Sequence, residues 1–121
     1  TLEHCRRRAA QGGSNDTLVA LDRANGDRVA GFVCFLPHAR KIVSIPGAGE
    51  ITALYILREY QGLGLGRMLL DAALARLPCP KTVLFVLDGN AQAIGFYEHM
   101  GFRFTGHTTG EEMTELEMSL E

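Results

Sequence analysis

Apolar residues in this chain fall into short runs separated by glycine, proline and small polar residues, and the runs change character along its length. "TLVAL" (17–21) and "RVAGFVCFL" (28–36) read as two strands around Asn25 and Gly26, a strong hairpin signal, and Pro37 ends the second. The stretch "HARKIVSIPGAG" is a loop with room for a short strand, and "EITALYIL" (50–57) is a third strand. A helix over 65–77 follows, whose polar stripe is Arg67 with Asp71 while leucine, methionine and alanine occupy most other directions. Such a helix must be covered on nearly every side.

Beyond "PCP", "KTVLFVL" (81–87) is a continuous apolar run of the kind found in central strands. Asn90 can cap the start of a second helix over 91–100, and Gly101 stands where a left-handed C-terminal cap is expected. Two strands close the chain, "FRFTGH" and "MTELEMSL", the latter alternating Leu116, Met118 and Leu120 with glutamates. At the front, residues 2–10 read as the tail of a helix and "QGGSND" as a loop. The predicted order β-β-β-α-β-α-β-β is one α/β domain, its sheet antiparallel at both ends and parallel in the middle. There the strands over 50–57 and 81–87 are joined by a right-handed helical crossover.

Composition narrows the function classes. With 121 residues, 46% hydrophobic and 21% charged, the chain is ordinary for a single globular fold. A net charge of -2 offers no long-range attraction for nucleic acid or a membrane surface, and Arg6, Arg7 and Arg8 read as a solvated helix face. Cys5, Cys34 and Cys79 have no metal-ligand or disulfide spacing, so no metal is expected and a reducing, cytoplasmic setting fits. No apolar run approaches the roughly 18 residues of a membrane span. The first residue, Thr1, suggests a trimmed or partly represented polypeptide.

The candidate chemistry starts at Gly62, Gly64 and Gly66, between a strand end and a helix start. Without Cβ atoms, successive main-chain N–H groups can point outward and join the unpaired donors of the helix's first turn, which suits a phosphate or pyrophosphate. A tight turn without a ligand is the competing reading. "GLGLGR" has neither the GxxxxGK[ST] spacing of a P-loop nor the GxGxxG of a dinucleotide fingerprint.

The Gln-x-x-Gly-x-Gly pattern of residues 61–66, followed by "NAQAIGFYEHMGF" (90–102), resembles the GNAT superfamily of N-acetyltransferases. The resemblance covers about residues 27–106. It departs at the front, where the strand and two helices usual before the hairpin are reduced to residues 1–15, so part of the acceptor wall is missing or supplied by a partner subunit. The resemblance implies a GNAT fold whose central parallel strands splay apart and are flanked by helices. It also implies acetyl-CoA as co-substrate, with pyrophosphate cradled by the backbone of Gly62, Leu63, Gly64, Leu65, Gly66 and Arg67 behind Gln61. The pantetheine arm would pair with Leu54, Tyr55 and Ile56, and the Leu54 N–H would polarise the thioester carbonyl.

By the same resemblance, Tyr97 protonates the departing thiolate, Asn90 contacts pantetheine as well as capping its helix, and Glu50 occupies the position of a general base. The plainer readings are packing for Tyr97 and an exposed strand-end carboxylate for Glu50. His38 is an alternative base or acceptor contact, while His4, His99 and His107 read as surface residues. Phe32, Phe35 and Leu36 fit either the hairpin core or an acceptor pocket. No cysteine has the basic neighbours that activate a nucleophile, which favours direct transfer. The acceptor class is a small-molecule or peptide amine; an inactive acyl-CoA-binding or regulatory module is the alternative. The final "TELEMSLE" could offer a sheet edge for a homodimer.

Overall fold

The computed structural model describes residues 2–9, 16–78 and 80–121; Thr1, Ala10, the loop expected over 11–15 and Cys79 lie outside the described residues. Strands β1 (Leu2–Ala9), β2 (Asp16–Asp22), β3 (Arg28–Leu36), β4 (Gly49–Ile56), β5 (Thr82–Leu87), β6 (Arg103–Thr109) and β7 (Glu115–Leu120) share one sheet, in the order β1-β2-β3-β4-β5-β7-β6. Helices α1 (Leu65–Arg76) and α2 (Ala91–His99) connect β4 to β5 and β5 to β6. Among the described residues only the β4–β5 pair is parallel. Nor is any helix among them long and apolar enough to cross a membrane.

Two expectations need correction. Leu2–Ala9 is a strand, not a helix tail: Arg6, Arg7 and Arg8 stand opposite Val19, Leu18 and Thr17 in an antiparallel ladder with β2. The local reading yields to pairing with β2, which local pattern cannot register. The last strand is not an edge either, because β7 lies between β5 and β6 and the sheet ends at β1 and β6. The 37–48 connection forms turns without a strand, and the hairpin after β2 closes through a short 3-10 turn, with Gly26 and Asp27 both left-handed.

The feature that shapes the site is in β4. Cys34 faces Ala53 across the β3–β4 ladder while Phe35 faces Ile51, so Thr52 is an extra, bulged residue. A bulge shifts the parity of a strand. Leu54 and Ile56 therefore join Ile51 on the face packed against the core, and Tyr55 turns to the other face, 52% exposed, beside the ring of Phe32 at 5.9 Å. The same bend ends the parallel pairing: β4 and β5 share only the rungs Gly49–Thr82, Glu50–Val83 and Ile51–Leu84 before they part. At the far end of β4, a Cβ on Gly31 would meet the Tyr55 carbonyl oxygen at 2.5 Å, so the glycine lets β3 close on the strand where the Leu57 N–H donates to the Ala30 carbonyl at 2.8 Å.

Both helices contribute to the same core. Leu69, Leu70, Ala73 and Leu77 pack with Leu18, Val33, Phe35, Leu84, Phe102 and Met118, and α2 adds Ala93, Ile94, Phe96 and Tyr97. Leu69 is fully buried. Leu69→Ala leaves a cavity between α1 and the sheet and is expected to cost about 2–5 kcal/mol. Urea unfolding followed by circular dichroism would register this as a lower midpoint with an unchanged slope.

Candidate active site

The glycine turn is built as a bare main-chain surface. Gly62 and Gly64 have φ of 81° and 82°, the left-handed region that glycine enters without strain, and a Cβ added at either would meet nothing within 4 Å. Gly64 is the N-cap of α1 and has no side chain with which to cap the first turn. The N–H groups of that turn are thus left to solvent or a ligand, at the positive end of the helix dipole. Gly66 serves packing instead, because its missing side chain admits the Phe96 ring of α2, whose Cζ would lie 3.4 Å from a Cβ there. Gln61 donates from Nε2 to the Ile56 carbonyl at 3.1 Å and ties the turn to the end of β4.

Between this turn, the parted end of β4 and the start of α2 lies a cleft of about 520 Å³. It brings together Leu54, Ile56, Gln61, Gly62, Gly64, Leu65, Gly66, Arg67, Asn90 and Tyr97 from the sequence-derived set. Tyr55, Leu63 and Glu50 are not on its wall; the Tyr55 and Leu63 side chains point to solvent. Residues not singled out from sequence, Tyr60, Gln92, Ala93 and Phe96, complete the lining. Their signal was proximity to the two motifs, since Tyr60 precedes Gln61 and the others lie within the α2 segment.

Asn90 caps α2, its Oδ1 accepting from the Ala93 N–H at 3.2 Å, and also faces the cleft. Tyr97 packs edge-on against Phe96 and Phe102 at 5.3 and 5.8 Å. No hydrogen bond involves its hydroxyl among the described residues. Burial pushes the phenol above its usual 10.0, so at neutral pH it holds its proton.

Three buried carboxylates fasten loops and hairpins to the sheet. Asp22 accepts from the Tyr60 hydroxyl at 2.7 Å and from Asn25 Nδ2 at 2.6 Å, which fastens the cleft residue Tyr60 to the β2–β3 hairpin. The bonds from Asn25 and Tyr60 hold the Asp22 carboxyl at about 2. Because that value lies below the ordinary range, the contribution to stability is whole above the unfolded-state pKa and is lost as pH falls through about 2. Glu50 is fully buried, and Arg40 occupies both its oxygens: Nη2 donates to Oε2 at 2.6 Å, Nε to Oε2 at 3.0 Å, and the main-chain N–H to Oε1 at 3.0 Å. The bond to Glu50 raises the Arg40 guanidinium in turn.

Glu117 is the third. It accepts from the Ser44 N–H at 2.8 Å and from the hydroxyls of Ser44 and Thr105, each at 2.5 Å. His107 is no mere surface residue: its Nε2 bonds the Ile42 carbonyl at 2.9 Å and its ring meets Phe85 edge-on. His38 and His99 are not drawn into the site; His38 borders a separate small cavity in the 37–48 loop, away from the cleft, and His99 is exposed at the end of α2. Phe35 belongs to the core, while Phe32 and Leu36 are half-buried on the opposite face. Among the described residues no group of His, Cys, Asp and Glu is placed to hold a metal ion.

The family model described as "Acetyltransferase (GNAT) family" matches residues 2–102. A peptidyl-lysine N-acetyltransferase of Salmonella typhimurium, YjaB, is 33% identical over 90 residues, covering 65% of this chain and 61% of that protein. This chain therefore spans less than two thirds of that relative's length. Among solved structures, the spermidine/spermine N-acetyltransferase SpeG from Vibrio cholerae superposes with a TM-score of 0.68 at 25% identity, covering 91% of this chain and 68% of that one. The NatC complex bound to Gag peptide and CoA is alike in fold, with a TM-score of 0.72 at 21% identity over 86% and 69% of the two chains.

The left-handed φ of Gly64 gives the turn a direct test. Gly64→Ala forces an L-residue into that region and is expected to lower stability by about 1–2 kcal/mol. Chemical denaturation would measure the loss, and an unchanged midpoint would mean that the turn readily adopts another shape.

Proposed function

Because the chain belongs to the acetyltransferase (GNAT) family, we propose that it moves an acetyl group from acetyl-CoA directly to a primary amine. The observation that carries this reading is a cleft with a bare left-handed glycine turn at one end and, on its wall, the Tyr97 hydroxyl, which has no hydrogen-bond partner among the described residues. The amides of residues 62–67 suit a pyrophosphate, with no side chain at Gly62 or Gly64 to crowd it. The edge of β4 at Leu54, Tyr55 and Ile56, freed from β5 by the bulge, suits the amide-bearing pantetheine arm as an added strand. Asn90 supplies a polar contact beside it.

In the transfer, the amine nitrogen forms a C–N bond to the thioester carbonyl carbon and the C–S bond breaks. The Leu54 main-chain N–H donates to the carbonyl oxygen as charge collects there. Tyr97 gives its proton to the leaving sulfur, and the proton that the attacking nitrogen sheds as the amide forms passes to solvent, from which the phenolate is reprotonated. An alkyl ammonium, with a pKa of about 10.4, must first lose a proton. Glu50, with both oxygens bonded to Arg40, is poorly placed to take it; in this reading the neutral amine is delivered by solvent exchange and Glu50 serves to hold Arg40. The acceptor class rests on the relatives, since peptidyl-lysine and spermidine share an alkyl amine.

Two measurements test the assignment. Tyr97→Phe is expected to lower kcat about 10²-fold or more while CoA affinity by calorimetry is kept, the usual loss for a general acid. In the unmodified protein, the alkaline fall of kcat attributable to this phenol should lie above its usual 10.0, because burial raises it. Glu50→Gln should leave the rise of kcat/KM with pH in place, set by the amine itself. Disappearance of that rise would make Glu50 the base after all. A wild-type protein that binds no CoA at millimolar concentration would refute the whole reading.

A further inference from the structure

The two faces of the sheet are unequal. Leu84 and Met118 point to the side covered by α1 and α2, so their neighbours Phe85 and Glu117, directly opposite each other, point to the side without helices. Phe85 is the first residue of β5 beyond the last rung shared with β4. On this second face, at the level where the strands part, the chain lays down the 37–48 loop. It is held at three places: Arg40 on Glu50, Ser44 on Glu117, and the Ile42 carbonyl on His107. Glu117 is the centre of this arrangement, since it is 1% exposed and bonded to the loop through Ser44 and to β6 through Thr105. Burial alone would raise its carboxyl, but the bonds from Ser44 and Thr105 outweigh it and hold the group below its ordinary value.

Resting on the acetyl-transfer reading, and on the donor cleft opening toward the helices, we infer that Glu117 is a positioning residue that fixes the 37–48 loop as the specificity-determining wall on the amine side of the gap. An amine attacking a carbonyl held between the parted strands reaches it from the face opposite the cleft. There it meets the loop at Ile42, which is 40% exposed, with Phe85 beside the His107 that holds the Ile42 carbonyl. Across the gap stand Tyr55 and Phe32. Ile42, Phe85, Tyr55 and Phe32 give this opening an apolar and aromatic lining, and the half-exposed Arg40 cation held on Glu50 stands on the same face, so the wall favours an amine carried on an apolar or aromatic body over a bare polycation.

A set of conservative variants separates the loop from the fold. Thr105→Val and Ser44→Ala each remove a hydroxyl from Glu117 and should raise KM for the amine about tenfold, the scale of a hydrogen bond to a charged group. KM for acetyl-CoA should stay within about twofold, and Thr105→Ser, which keeps the hydroxyl, should behave as wild type. In a panel running from spermidine to phenethylamine, the variants should lose most on the aromatic amine. Independently of activity, Glu117→Gln should speed hydrogen exchange at the Ser44 amide while the first-turn amides of α1 are unchanged. Equal shifts in both KM values, an unaltered amine KM, or unchanged exchange at Ser44 would each overturn the inference while leaving acetyl transfer standing. Failure of the wild type to acetylate any amine would instead overturn the reading on which it rests, and the specificity role with it.

Discussion

The early parting of β4 from β5 is the constraint on which the remaining architecture depends. Three parallel rungs are enough to register the strands, and the bulge at Thr52 then bends β4 away. The bend has a second effect, since it keeps apolar side chains on the core face across the irregularity: Ile51 before it, Leu54 and Ile56 after it. A regular strand would have turned Ala53 and Tyr55 inward and exposed two large aliphatic groups. Hydrophobic burial thus holds open a gap whose main-chain groups lack a neighbouring strand. Such groups need a partner, and a ligand bearing amides is a chemically apt one.

Around the gap, buried carboxylates do what a larger core would otherwise do for the loops. Asp22 reaches Tyr60, Glu50 reaches Arg40, and Glu117 reaches Ser44 and Thr105. Each link joins segments remote in sequence. A buried carboxylate is costly without donors and sharply directional with them, so each loop is fixed by a few well-defined bonds rather than by diffuse packing. The result places one polar fastening beside the glycine turn, through Tyr60, and two on the helix-free face.

What was legible in the sequence follows from range. The glycine turn, the α1 and α2 segments, Asn90 as a cap and Gly101 at φ 100° depend on neighbours within a few positions, and the structure agrees with each. The parallel pair was legible because an apolar run between two helices has few alternatives. The front strand was not, since Leu2–Ala9 owes its extended form to β2. Nor was the inner place of β7, which is decided by how β6 and β7 return to β5. Glu50 reads from sequence as a general base or an exposed strand-end carboxylate, and Glu117 as one of the glutamates alternating with Leu116, Met118 and Leu120, because nothing local announces Arg40 or Ser44 as their partners. The bond of His107 to the Ile42 carbonyl was hidden for the same reason.

Gly31 shows how far such dependence extends. Its missing side chain lets the hairpin close on the Tyr55 carbonyl and take the Leu57 amide, just where the chain leaves the sheet for the turn at Gly62. The heading with which the main chain departs is therefore decided upstream, by a residue that backs the cleft residue Ile56 without lining the cleft itself. A side chain at this position would push the end of β4 aside and so move the point from which the following segment sets out.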